Sequence, residues 1–477
     1  MKKLKIILKP IIKILSILFP LFICGQSLSS LDFKEIERAI QSDMEESGAP
    51  GAIIRVSKKG EILFEKALGI RNAKTKEPVT YNTLFLTASV TKTITTTALL
   101  ILCDRKGIST QTKIGSLLTG LSEDLEDLTI HQILSQSSGI LDHLPTQKKF
   151  KNDPYIYFSR FGKRLVCPEI QGVFSYTNFG HVLAGMIIAE LNDSSFEEAI
   201  QELIFRPLHM DRTTYSVEGD QWMDHSKAHK NGKVVDHAFA SPLLRASASM
   251  FSTAGDLSNF AECFMNQGRL NGIQIIPIKV IEEMAGQYTM VGVLHKYFGY
   301  PSSFYGYGMM SFEHLGISFN GHPGETSTQN LLFAMAPDQK TSIIIMSNAG
   351  LFPFIRTFEI LAEKFLTNSD ALKAESNETN SEISEKKPEQ TITEMTGSYY
   401  VPEISGSKEN VLEVYNRGKQ LYLKLSETES FKLQQIVPDL FSYDLPDSNI
   451  PVEVRFYRDG TGKIKFLNHH WKTSIKQ

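Results

Sequence analysis

Ser89-Val90-Thr91-Lys92, leading into the apolar residues 93–105, is the stretch on which the reading of this chain turns. A serine and a lysine three residues apart on a helix share one face, a turn from each other. A lysine that loses its proton easily can take the hydroxyl proton and leave an alkoxide-like nucleophile. The serine also stands where the first helical N–H groups lack partners, a field that favours developing negative charge. Two further S-x-x-K tetrapeptides, Ser384 to Lys387 and Ser405 to Lys408, lack this setting. The first lies in a charged stretch without aromatic residues; the second follows Pro402 and contains Gly406. Only Ser89 precedes a predicted buried helix, with Ile94, Ala98, Leu99, Ile101 and Leu102 on its apolar face.

Two more motifs follow in order. Tyr176-Thr177-Asn178 is the only Y-x-N in the chain and is predicted to lie in a loop before a helix starting at Phe179. A tyrosine whose pKa is lowered by a nearby ammonium can shuttle a proton between nucleophile and leaving group. An asparagine amide can orient a substrate carbonyl and bond the lysine. Gly321-His322-Pro323-Gly324 is expected to enter the strand beginning near Gln329. Small residues there let a substrate backbone approach a strand edge, and the Glu325 N–H can complete an oxyanion hole with that of Ser89. A second H-x-G, His314 to Gly316, suits a hairpin turn instead.

Together these motifs resemble the serine β-lactamase-like family: class C β-lactamases, DD-peptidases and esterase-type serine hydrolases. Residues 129–140 and 247–257 look like supporting segments of the same family, and the resemblance covers roughly residues 31–366. It implies a two-step acyl transfer, with Ser89, Lys92 and Tyr176 catalytic and Asn178, His322 and Gly324 lining the substrate site, beside the Glu325 N–H read above. No H-E-x-x-H or Cys/His cluster suggests a metal site, and no cofactor is expected. One departure matters: β-lactamases of this type usually carry Lys-Thr-Gly at the third motif. Pro323 offers neither a hydroxyl nor a backbone N–H, and a neutral His322 supplies no fixed charge for a penicillin carboxylate.

The remaining sequence bounds this picture. With 477 residues and 42% hydrophobic content, the chain can bury a large core and predicts two domains. Residues 1–25 hold five lysines and no acid, so removing them from the net charge of −3 leaves −8. No basic stripe points to nucleic acid. The same 25 residues read as a signal peptide, with an apolar stretch from Ile14 to Cys24 too short to span a bilayer comfortably. Retention as an anchor, or lipidation at Cys24, is the lesser expectation; Ile23 is not the small residue a lipoprotein box wants. Cys103, Cys167 and Cys263 are too few and too scattered for a disulfide framework, and Cys103 is expected in the core.

Along the chain, helices are predicted at 31–47, 129–136, 179–191, 195–205, 255–265, 277–284 and 353–366, with Asp193 and Ser194 as N-caps for 195–205. Strands are predicted at 52–57, 61–68, 305–312, 316–321, 329–335 and 341–347, and residues 147–164 as a loop near the cleft. The fold class is α+β: an antiparallel sheet built from both chain ends and flanked by helices, with a helical insertion, plus a small C-terminal all-β domain. The boundaries are 1–25 signal peptide, 31–366 hydrolase domain, 367–392 an acidic linker, and 393–477 the β domain. The resemblance implies that this last part is lipocalin-like.

The reading is an exported, periplasmic or secreted serine hydrolase acting on a small peptide, amide or ester. A D-amino-acid peptidase or esterase is favoured over an efficient β-lactamase. The competing readings are a catalytically silent protein of this fold that binds a cell-wall fragment or partner, and a C-terminal β domain that captures an apolar ligand.

Overall fold

The structure, a computed structural model, describes residues 30–142, 152–217, 224–230, 232–236, 241–291, 303–350, 354–366, 388–402, 410–444, 451–469 and 472–477. The expected signal peptide and most of the expected linker lie outside the described residues. Among the described residues, no helix is long and apolar enough to cross a membrane.

Among the described residues, an antiparallel sheet of nine strands forms the centre. Its order runs Thr289–Val291, Ser303–Tyr305, Met310–His314, Ile317–Glu325, Asn330–Ala336, Thr341–Ser347, Gly51–Lys58, Glu61–Asn72, Glu77–Pro78. Late strands thus pair with the first, Ile54 lying opposite Ile345, as expected for a sheet closed from both chain ends. The strand Thr341–Ser347 is buried along its whole length. Its even and odd residues face different cores. Ile344 and Met346 join the helical middle, whereas Ile343 and Ile345 join the terminal helices Ser30–Ser47 and Ile355–Leu366. Covering both faces explains the unbroken apolar runs, and each fully buried Ile or Phe contributes roughly 1.5–3 kcal/mol.

Several local expectations are corrected. The 305–312 segment is two strands, since Gly306 to Gly308 turns the chain and pairs Tyr305 with Met310. Gly308 has φ +63°, and a Cβ there would lie 2.2 Å from Thr96 Oγ1. The strand expected to stop at Gly321 runs on to Glu325, so His322-Pro323-Gly324 lies inside it. Within the expected loop 147–164, residues 154–161 form the helix Pro154–Phe161, because the Asp153 carboxylate accepts from the N–H groups of Tyr155 and Ile156 and Pro154 takes the first position. Asp193 and Ser194 are not the cap of the next helix. Asp193 ends the preceding helix with φ +49°, and Ser195 caps Phe196–Ile200 in a capping box with Glu198.

Among the described residues, the C-terminal part is a second antiparallel sheet of nine strands, from Ser430–Lys432 at one edge to Gln434–Val437 at the other. These two edges are consecutive in sequence, which winds the sheet into a nearly closed all-β domain around Tyr399, Leu423, Tyr443, Val454 and Leu467. The helix Pro388–Met395 precedes it and contributes Met395 to that core, so the expected boundary at residue 393 falls within a helix.

Candidate active site

Ser89 sits in a short 3-10 turn, Ala88–Val90, that runs directly into the helix Thr91–Lys106. Ala88 holds φ +45°, a conformation that L residues adopt at a cost of order 1–3 kcal/mol. The turn is tied down from two sides. Thr87 N–H donates to the Met250 carbonyl at 2.8 Å, and Thr91 Oγ1 donates to the Ala88 carbonyl at 2.6 Å. The following helix is buried from Thr91 to Cys103 rather than on one face only. Its threonines are accommodated by hydrogen bonds: Thr93 to the Gly308 carbonyl, Thr95 to the Ala246 carbonyl, and Thr96 with His181. Cys103 lies in this core, as expected.

Lys92 is fully buried. Its Nζ donates to Asn178 Oδ1 at 2.8 Å and to the Ser247 carbonyl at 3.0 Å, and stands 3.3 Å from Ser89 Oγ. Desolvation lowers its pKa to about 7, with Asp142 opposing that fall and Lys472 adding to it. A neutral amine with two N–H groups held by carbonyl oxygens has its lone pair left for the Ser89 hydroxyl.

Tyr176 donates its hydroxyl to Ser89 Oγ at 2.7 Å. Here one expectation is reversed. Burial pushes the phenol well above its ordinary pKa, with nearby Tyr305 adding to the rise. The Lys92 ammonium faces the ring, 4.8 Å from its centroid, rather than the hydroxyl. Tyr176 therefore stands as a protonated donor. Asn178 stands just before the helix Phe179–Asn192 without a side-chain cap bond to it, and Asp142 holds its amide. Asp142 accepts from the Asn178 N–H at 3.3 Å and from Nδ2 at 3.5 Å, which leaves Oδ1 for Lys92.

His322 is buried beside Tyr176, with ring centroids 6.2 Å apart. Its Nδ1–H donates to the Pro323 carbonyl at 2.6 Å, and Nε2 pairs with the Tyr305 hydroxyl at 3.1 Å. Burial, then the Lys92 charge, push its pKa down to about 3, so the ring is neutral. Gly324 packs against the Ser89 turn, and a Cβ there would meet the Thr87 carbonyl at 2.2 Å. Glu325 ends the strand opposite Asn330. His314 lies elsewhere, buried against Phe358. The structure thus brings Ser89, Lys92, Tyr176 and Asn178 into one hydrogen-bonded group, with His322 and Gly324 packed beside it. Sequence reasoning missed Asp142, Tyr305 and Lys472. Asp142 lies two residues beyond the 129–140 segment and was within reach; Lys472 belongs to the other sheet and gave no local signal.

The Beta-lactamase family model matches residues 36–361. Penicillin-binding protein 4 of Amycolatopsis lactamdurans is 24% identical over 321 residues, 64% of this chain and 82% of that protein. Protein flp of Staphylococcus aureus (strain N315) is 24% identical over 190 residues, 38% of each chain. The octameric penicillin-binding protein homologue from Pyrococcus abyssi matches over 93% of this chain and 100% of its own, with TM-score 0.63 and 23% identity. SurE with D-Leu matches over 94% and 100%, with TM-score 0.67 and 19% identity. A class C β-lactamase covers 71% of this chain and 98% of its own, with TM-score 0.61 and 17% identity. These structures share the fold. With the family model spanning most of its length, the chain belongs to the Beta-lactamase family, a serine β-lactamase and penicillin-binding-protein-like group.

Proposed function

We propose that this protein is an exported serine hydrolase working through an acyl-enzyme at Ser89. The observation that carries the reading is the placement of Lys92: a buried amine held by two carbonyl oxygens, with Ser89 Oγ as its third neighbour. In acylation the Ser89 oxygen bonds to the substrate carbonyl carbon while its proton passes to Lys92. The N–H groups of Ser89 and Glu325 receive the oxyanion. Tyr176 hands a proton to the leaving amine or alcohol as the carbonyl–heteroatom bond breaks, and Lys92 returns one to it. Water then attacks the ester while Lys92 takes its proton, and Lys92 passes that proton to Ser89 Oγ as the acyl–oxygen bond breaks, releasing the acid. Asn178 holds Lys92 and the substrate carbonyl.

The substrate class is a small peptide, amide or ester, with a D-amino-acid peptidase or an esterase favoured over an efficient β-lactamase. A neutral His322, occupied by Pro323 and Tyr305, supports this, since that strand position then supplies no cation for a penicillin carboxylate. SurE, solved with D-Leu, and the penicillin-binding relatives are consistent with D-configured peptides.

Intact mass after incubation with a fluorophosphonate and, separately, a penicillin tests the reading against Ser89→Ala. A stoichiometric adduct on the wild type alone supports it, and penicillin labelling points to cell-wall substrates. No adduct from either reagent on folded protein favours a silent protein that binds a cell-wall fragment.

A further inference from the structure

The C-terminal sheet reaches into the hydrolase centre at three points. Asn468 Nδ2 and Thr473 Oγ1, from adjacent strands, both donate to the carbonyl of Phe174. Lys472 Nζ donates to the carbonyl of Tyr176 at 3.1 Å and lies 3.3 Å from Asp142 Oδ2. Both carbonyls belong to the segment that ends in Tyr176 and Asn178. An apolar seam seals the junction. Phe466 and Ile475 from the C-terminal sheet pack with Cys167 and Ile170, and against Leu141 and Val173, the neighbours of Asp142 and Phe174. Tyr457 adds a hydrogen bond to the Met290 carbonyl at 2.9 Å.

A continuous chain of contacts follows from Lys472 to the nucleophile. Lys472 pairs with Asp142, Asp142 accepts from the Asn178 amide, and Asn178 Oδ1 accepts from Lys92, beside Ser89. The Lys472–Asp142 pair is partly open to solvent, at 39% and 19% exposure, so as an ion pair it adds little stability. Its consequence is geometric and local. Without the ammonium, the Asp142 carboxylate is free to turn from Asn178, and the Tyr176 carbonyl loses its donor. Resting on the acyl-enzyme reading above, we propose that Lys472 is a positioning residue of the Ser89 centre, lent by the C-terminal sheet. It holds Asp142 and the Tyr176 backbone so that Asn178 and Tyr176 address Lys92 and Ser89.

The charge environment makes this role separable from a structural one. Lys92 is faced by Asp142, by Tyr176 and its neighbour Tyr305, by His181 on the helix behind it, by His322 on the sheet, and by Lys472. Asp142 and Lys472 act on it in opposite directions. The test is the rate of fluorophosphonate labelling of Ser89 in the full chain from pH 5 to 10. Lys472→Met, which keeps most of the aliphatic stem, is expected to slow labelling at pH 7 by about tenfold to a hundredfold. Its acid limb should move upward, because the Lys472 charge that lowers the Lys92 pKa is gone. Lys472→Arg should restore both, and Asp142→Asn should move the limb the other way. A melting temperature near that of the wild type shows that each variant is folded. Slower labelling of Lys472→Met with an unmoved limb, or a wild-type rate and limb, overturns the positioning role. A wild type that does not label at all overturns the acyl-enzyme reading, and Lys472 then has no reaction to serve.

Discussion

Replacing Lys92 by methionine separates the burial of this amine from its chemistry. Desolvation brings the Lys92 pKa from 10.5 to about 7 in the folded protein. Each pH unit of difference corresponds to ~1.36 kcal/mol, so carrying the lysine protonated costs the fold about 5 kcal/mol. The sign follows from which state holds the proton. Below about pH 7 both states are protonated and the cost is present in full. Between about pH 7 and 10.5 the unfolded chain is protonated and the folded one is not, so stability rises with pH. Methionine removes this dependence while leaving Asn178 Oδ1 and the Ser247 carbonyl without their donor, a loss of roughly 1–3 kcal/mol that does not vary with pH. Urea unfolding of both proteins should therefore give curves that diverge. From pH 6 to pH 9 the wild type should gain on Lys92→Met by about 3 kcal/mol. Parallel stability–pH curves would refute the claim that Lys92 is a desolvated, easily deprotonated amine.

Other outcomes follow from the same geometry. Tyr176→Phe keeps the buried ring but removes the 2.7 Å hydrogen bond to Ser89. Labelling of Ser89 should fall by about 10²–10⁴-fold, with melting shifted by little more than one hydrogen bond's worth, about 1 kcal/mol. Gly324→Ala places a Cβ 2.2 Å from the Thr87 carbonyl. It should displace the Ser89 turn, costing about 1–3 kcal/mol by thermal unfolding and most of the labelling. Cys103, Cys167 and Cys263 are buried, and burial pushes each thiol up to about 12. Mass spectrometry should find these three unmodified by iodoacetamide at pH 8 in the native protein and modified after denaturation.

The candidate site was legible where its residues form short local patterns. Ser89 and Lys92 stand one helical turn apart, Tyr176 to Asn178 lead into a helix, and both patterns survive without knowledge of the tertiary fold. The central sheet was legible for a similar reason: short turns such as the one at Pro337 separate its late strands, and buried apolar runs mark them. What the sequence hid was set by burial. The threonines of 91–97 are buried, and Thr93, Thr95 and Thr96 find partners in residues 308, 246 and 181, far along the chain. The Tyr176 pKa was read as lowered by a neighbouring charge, but desolvation outweighs a charge placed over the ring. The helix at 154–161 was read as a loop because its cap, Asp153, stood in a stretch dominated by lysines and aromatics. Lys472 is 296 residues from the carbonyl it meets, and only the packing of the two sheets brings it there.

The pH dependence of Ser89 labelling by a fluorophosphonate, followed by peptide mapping, tests the central claim most directly. The account predicts a single adduct on the peptide containing Ser89, with a rate that rises through a midpoint near pH 7, where Lys92 becomes neutral. An adduct on another residue, or a rate still climbing towards pH 10 as for an ordinary exposed lysine, would contradict it.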